Sequence, residues 1–206
     1  GRPALNWGYQ PARWFVPFRN GGPVAVIGFD PWVTIFNSED GKTIQRVRTS
    51  GRTRCGTFLE DANRLALGCD NRLIIADLRE RGGTAITNTH SAWIGDMDFD
   101  PQRRHLVTAS LDHVVRLFET RTPIRQIMSG TCDEEVWTAR VLRRTGHIGV
   151  FTRSRWARML DPVFALPLQP PVQQIGATGA EIVEGMNISR MIVPNSRGFL
   201  WVTVQD

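Results

Sequence analysis

His105-Leu106-Val107-Thr108-Ala109-Ser110-Leu111-Asp112-His113-Val114-Val115-Arg116-Leu117-Phe118-Glu119 holds two short apolar runs split by a Leu-Asp-His turn. Runs of this length, bounded by turn residues, read as paired antiparallel strands. Upstream, His90 leads through Trp93-Ile94-Gly95-Asp96-Met97-Asp98-Phe99 to an Asp100-Pro101 turn. Downstream, an Arg-Thr-Pro turn precedes Ile124-Arg125-Gln126-Ile127-Met128. The stretch therefore predicts four successive antiparallel strands. A sheet with strands this apolar hides both faces by stacking between neighbours.

The second-strand run recurs along the chain. Val24-Ala25-Val26-Ile27, Leu65-Ala66-Leu67, Leu106-Val107-Thr108-Ala109, Ile148-Gly149-Val150-Phe151 and Met191-Ile192-Val193 begin at 24, 65, 106, 148 and 191, in steps of 41, 41, 42 and 43. A period of roughly 40–45 residues with several short strands per unit is that of a propeller blade. The expected fold is all-β, a single β-propeller domain over 1–206 with units at roughly 14–47, 54–89, 90–130, 135–170 and 180–206.

Thr108 through Glu119 resembles the second-to-third strand segment of a WD repeat, with Phe118-Glu119 in place of the signature Trp-Asp and His90 where its Gly-His pair falls. The resemblance implies a structural hydrogen-bonded network to which His90, Thr108 or Ser110, and Asp112 contribute. Phe118 has no indole N–H, so that network is expected to be incomplete. The other units fit the same frame less closely: Trp32-Val33-Thr34-Ile35-Phe36-Asn37, Leu73-Ile74-Ile75-Ala76-Asp77, Arg155 through Asp161 and Phe199 through Val204 take the third-strand place. WD propellers mostly close with seven blades. An open propeller exposes strand edges, so five units are expected to be an incomplete part of a larger, seven-bladed propeller. The alternatives are one that leans on a neighbouring subunit or a small or degenerate propeller.

Composition narrows the function classes. No run approaches the roughly 18–20 apolar residues of a membrane span, so no membrane partner is expected. Cys55, Cys69 and Cys132 are odd in number and form no close pair. They read as reduced thiols of an intracellular protein, nuclear or cytoplasmic. The net charge is +5, and Lys42 is the single lysine among 25 Lys and Arg residues. A GC-rich genome accounts for that bias as readily as function does. Either way the surface is rich in planar donors suited to carboxylate or phosphate.

No catalytic constellation is expected, and no cofactor or metal. His105 and His147 occupy the same place before two second strands, which argues for architecture. Asp96, Asp98 and Asp100 alternate along one strand and face one side. A cation cage needs ligands converging from a loop, so pairing with arginine or solvent is the expectation. Trp32, Trp156 and Trp201 fall in third strands and are expected in the core. Trp93 and Trp137 lie near the starts of first strands and are candidate partner-binding residues. Trp7 and Trp14 lie in an irregular opening segment expected to dock on the propeller or on a partner.

Arg46, Arg48, Arg52 and Arg54 place four cations across the link between the first two units. Arg140, Arg143, Arg144, Arg153, Arg155 and Arg158 make the fourth unit basic as well. Both groups are candidates for an acidic partner, a protein tail or nucleic-acid phosphate. No aromatic interleaving tracks the first group in sequence, which speaks against base-specific readout. Ala76-Asp77-Leu78-Arg79 and Phe118-Glu119-Thr120-Arg121 resemble the Trp-Asp-x-Arg ending of WD-repeat substrate receptors of cullin–RING ubiquitin ligases. That resemblance implies an adaptor-binding role for Arg79 and Arg121. The leading expectation is a non-catalytic protein-interaction scaffold within a multiprotein complex. The alternatives are a nucleic-acid-associated WD protein and a ubiquitin-ligase substrate receptor.

Overall fold

Each of the five apolar runs lies in the second strand of an antiparallel meander. The computed structural model describes residues 14–18, 21–60, 62–79, 82–86, 89–153, 156–162, 172–173, 181–185, 188–195 and 198–205. For 82–86, 156–157 and everything from 172 onward the backbone alone is described. The first sheet comprises β1 (Trp14–Pro17), β2 (Pro23–Ile27), β3 (Trp32–Asn37) and β4 (Thr43–Arg48). The second comprises β5 (Thr53–Phe58), β6 (Arg64–Cys69), β7 (Arg72–Asp77) and β8 (Gly82–Ile86). β9 (Ile94–Asp100), β10 (His105–Ser110), β11 (Val114–Glu119) and β12 (Arg125–Thr131) form the third. β13 (Val136–Val141), β14 (Ile148–Thr152), β15 (Trp156–Leu160) and β16 (Val172–Gln173) form the fourth. β17 (Glu181–Gly185), β18 (Ile188–Asn195) and β19 (Gly198–Gln205) form a three-stranded fifth. Strands in every sheet are ordered as in the chain. The described residues are thus all-β, in the repeated meander that propeller blades use.

The chain divides into two compact units, Gly1–Ile94 and Gly95–Asp206. In the first, Ala25, Ile27, Val33, Ile35 and Val47 of the first sheet pack on Phe58, Leu65, Leu67, Cys69, Ile74 and Ala76 of the second. β6 is buried from Leu65 through Cys69, so both its faces are covered and its sequence is a continuous apolar run. β4 alternates instead, with Val47 buried between exposed Arg46 and Arg48. Close approach fixes Gly68: a Cβ there would lie 2.5 Å from Cys55 Sγ and 3.0 Å from Ile94 Cγ2. Cys55 Sγ in turn donates to the Ile94 carbonyl at 3.6 Å.

In the second unit, Val107, Ala109, Val115, Leu117, Met128 and Cys132 of the third sheet and its exit pack on Val136, Ala139, Val141, Ile148, Val150 and Leu160 of the fourth. Burying each large aliphatic side chain in such a layer contributes about 1.5–3 kcal/mol. Trp32 departs from the expected core position. It is half-buried, on the face of β3 opposite Val33 and Ile35. The side chains of Trp156 and Trp201, and all of Trp7, lie outside the described residues, and Trp14 is exposed. No helix among the described residues is long and apolar enough to cross a membrane.

Cys55, Cys69 and Cys132 are all free and buried. Burial pushes the Cys132 thiol up to about 11, so it stays protonated, and therefore unreactive, through neutral and mildly alkaline pH. Iodoacetamide is expected to leave Cys132 unmodified in the native chain below that pH. In urea, its alkylation should follow the unfolding transition measured by circular dichroism. Rapid native-state labelling by peptide mapping would contradict this burial.

Candidate functional site

The register of the first sheet sorts its side chains onto two faces. Trp32 pairs with Arg48, Val33 with Val47 and Thr34 with Arg46. Directly opposed residues share a face, so Val33 and Val47 enter the core while Trp32, Arg46 and Arg48 share the other side. The Arg46 and Arg48 guanidiniums lie 4.9 and 6.0 Å from the Trp32 ring centroid. Phe15 pairs with Val26, Val26 with Thr34, and Val24 with Phe36, which puts all of them on this outer face. Phe15 is 58% exposed, whereas Val24, Val26 and Phe36 are half-buried.

The link that follows is held by the turn between β6 and β7. Asp70 N–H donates to the Arg52 carbonyl at 3.0 Å, and Arg52 N–H donates to Asp70 Oδ2 at 3.3 Å. Asp70 adopts a positive φ of 49°. Gly51 lies so close to its carboxylate that a Cβ would sit 2.0 Å from Asp70 Oδ2. Earlier in the link, Thr49 N–H donates to the Pro31 carbonyl at 2.8 Å and Thr49 Oγ1 to the Gly51 carbonyl at 2.9 Å. A shallow depression of about 460 Å³ opens here, lined by Pro31, Arg48, Thr49, Ser50 and Gly51.

The same turn also holds the segment that leads up to Ile94. Ile94 N–H donates to the Asp70 carbonyl at 2.8 Å and His90 N–H to the Asn71 carbonyl at 3.1 Å. Asn71 Nδ2 returns a hydrogen bond to the His90 carbonyl at 3.1 Å. β5 shifts register between Thr53 and Cys55, leaving Arg54 as the extra residue of a bulge. Its guanidinium lies 3.6 Å from the ring centroid of Trp93, which is 46% exposed. Arg52 lies 5.5 Å from the ring of exposed Phe29. All four arginines of the link therefore lie over aromatic rings that come from elsewhere in the chain. Each contact is worth about 0.5–1 kcal/mol at an exposed site. Their larger effect is to restrict flexible side chains while keeping the planar donor array. Among the described residues, no carboxylate forms an ion pair with Arg46, Arg48 or Arg52.

The arginines of the fourth unit have a different fate. Arg140 pairs with Asp96. Arg143 Nη2 meets both oxygens of Asp98, at 2.8 and 3.0 Å, and Val141 N–H adds a third bond at 3.0 Å. Asp100, fully buried, accepts from Arg103 Nη1 at 3.0 Å and from Gln102 N–H at 3.0 Å. Arg153 pairs with Glu135 at 3.0 Å, and Arg158 with Asp133. The aspartate row of β9 thus meets arginine at every position. Among the described residues, no group of His, Cys, Asp and Glu is placed to hold a metal ion. Arg155 lies outside the described residues.

The remaining candidates are dispersed. Arg79 lies past the end of β7 away from the Asp70 turn, with Nε and Nη2 on Asp77 at 3.1 and 2.9 Å. Its hydrogen bonds hold the Asp77 carboxyl below the usual aspartate range. Arg121 Nε lies 3.5 Å from Glu119, which also accepts from Arg125 at 2.8 Å. Trp137 is the extra residue of a bulge in β13 and is 50% exposed. Trp93 instead precedes the first residue of β9, so the two tryptophans do not occupy one repeat position. His90, Thr108 and Ser110 are buried. Asp112 Oδ1 accepts from Val114 N–H at 3.1 Å, and its Oδ2 meets Arg116 at 3.3 Å. Phe118, in the signature tryptophan's place, is buried. Sequence reading missed Trp32 and Phe29 as arginine partners. The antiparallel register of β3 and β4 is the signal for Trp32; Phe29 has none in sequence.

Compared with known proteins, the chain matches no protein-family model and no curated protein sequence.

Gly51→Ala forces the Asp70 carboxylate aside and is expected to destabilise the chain by about 1–3 kcal/mol in urea titration. Asp70→Gly removes that carboxylate and suits the positive φ. The double variant should therefore lose less than the sum of the singles, and strict additivity would contradict the contact. In the second unit, burial raises the Asp96 pKa above 3.8 although Arg140 opposes it. The folded state then binds this proton more tightly than the unfolded chain. Its contribution to stability falls as pH rises from 3.8 to the folded pKa and is constant beyond. Asp96→Asn is expected to remove that slope from a stability-versus-pH curve.

Proposed function

We propose that the chain is a non-catalytic interaction platform, a five-unit part of a seven-bladed WD-repeat propeller that serves as a subunit of a larger protein assembly. The observation that carries the reading is the outer face of the first sheet. There Phe15, Val24, Val26, Trp32 and Phe36 remain at least partly exposed beside two arginines without a described carboxylate partner. A sheet that is apolar on both faces is stable when both are covered. The inner face meets the second sheet, and the outer face is the place for a partner. Native mass spectrometry of the full chain from its own cells tests this. The expected result is a stable complex that Trp32→Asp disrupts; a partner-free monomer overturns the reading.

The second reading is association with nucleic acid through Arg46, Arg48, Arg52 and Arg54. It is favoured by their stacking on aromatic rings and by the lack of ion-pair partners at the first three. Each phosphate contact contributes about −0.9 to the slope of log affinity against log salt on duplex DNA. Reversing the four charges to Glu should flatten that slope for a DNA duplex. An unchanged slope removes this reading.

A further inference from the structure

We propose that the outer edge of β4 takes an added strand from an acidic segment of a partner protein. The inference rests on the platform reading and names the chemistry of a partner at the edge of that first sheet. β4 ends the first sheet and, among the described strands, pairs with β3 alone. Such an edge presents alternating backbone N–H and C=O groups, a template for strand addition.

The side-chain pattern of β4 specifies what the added strand carries. Arg46 and Arg48 face outward, and Val47 between them faces the core. A strand aligned with β4 places residues i and i+2 beside the two arginines and residue i+1 beside Val47. The fit is therefore acidic, apolar, acidic. β4 shifts register between the partners of Ile35 and Phe36, so Ile44 is extruded and 52% exposed, adding an apolar contact toward the other end. Arg46 and Arg48 already lie over Trp32, so carboxylates meet donors whose side-chain freedom is partly spent.

Charge and hydrogen bonding decide between occupants. A second copy of β4 brings Arg46 and Arg48 against arginine, which opposes self-pairing. A nucleic-acid backbone supplies phosphate acceptors for the edge N–H groups but few donors for its carbonyls. It also leaves Ile44 without aliphatic cover. An acidic, alternating peptide strand satisfies all three demands.

The test is fluorescence anisotropy of a labelled Glu-Val-Glu-Val-Glu-Val peptide on the full chain, with hydrogen exchange read at the β4 amides. The expected result is saturable binding, weakened at least about tenfold by Arg46→Glu with Arg48→Glu. The same peptide with a methylated backbone should fail to bind, and the β4 amides should exchange more slowly in the complex. Equal binding of the methylated peptide reduces the site to charge attraction and overturns strand addition. Tighter binding of an oligothymidylate, unaltered β4 exchange, or no peptide binding overturns it equally. If the native complex persists while the peptide fails, strand addition falls and the platform reading stands. If the chain is a partner-free monomer, the platform reading falls, and strand addition falls with it.

Discussion

The surface of the first unit depends on the Asp70–Asn71 turn. Two residues there serve the incoming link and the outgoing entry to β9, through both backbone groups of Asp70, its carboxylate, and the Asn71 carbonyl and amide. Asp70 holds a positive φ that non-glycine residues adopt at a cost. Hydrogen bonds of about 1 kcal/mol each offset that cost together. The geometric consequence outweighs the energy. Arg52, Arg54 and Trp93 come from segments nearly forty residues apart in the chain, and this turn brings those segments together.

Two arginine populations of similar sequence density differ in chemical state. The β9 aspartates are wholly or partly buried, and a buried carboxylate is costly unless a cation and further donors meet it. Arg103, Arg140 and Arg143 meet that demand and are committed to structure. Arg46 and Arg48 sit on an edge strand beside Val47, with an indole for a neighbour and, among the described residues, no carboxylate in an ion pair with them. An indole orders a guanidinium while leaving its charge uncompensated. On the proposed platform reading, specificity lies in the spacing of donors along a strand and affinity in the apolar face beside them.

The strand order was legible because each unit alternates and breaks at Asp, Gly and Pro turns. The five apolar runs lie in β2, β6, β10, β14 and β18, each second in its sheet. The site was only half legible. Arg46 through Arg54 stand out as a basic run, yet their aromatic partners Trp32, Phe29 and Trp93 are separated from them in sequence. Trp32 reads as core from its third-strand position, but the first sheet has one stacked neighbour among the described residues, so the face bearing Trp32 stays partly open. Trp93 and Trp137 both read as lying near the starts of first strands, yet Trp93 precedes β9 and Trp137 is the extra residue of a bulge inside β13.

By itself the sequence determined the β class, the meander and the period, because alternation and turn chemistry act over neighbouring residues. It also determined that arginine supplies nearly all of the cationic side chains. Tertiary structure alone decided which arginines are spent on buried aspartates and which lie over aromatic rings. That choice depends on register, bulges and the convergence of distant segments at the Asp70 turn, none of which is a local property of the chain.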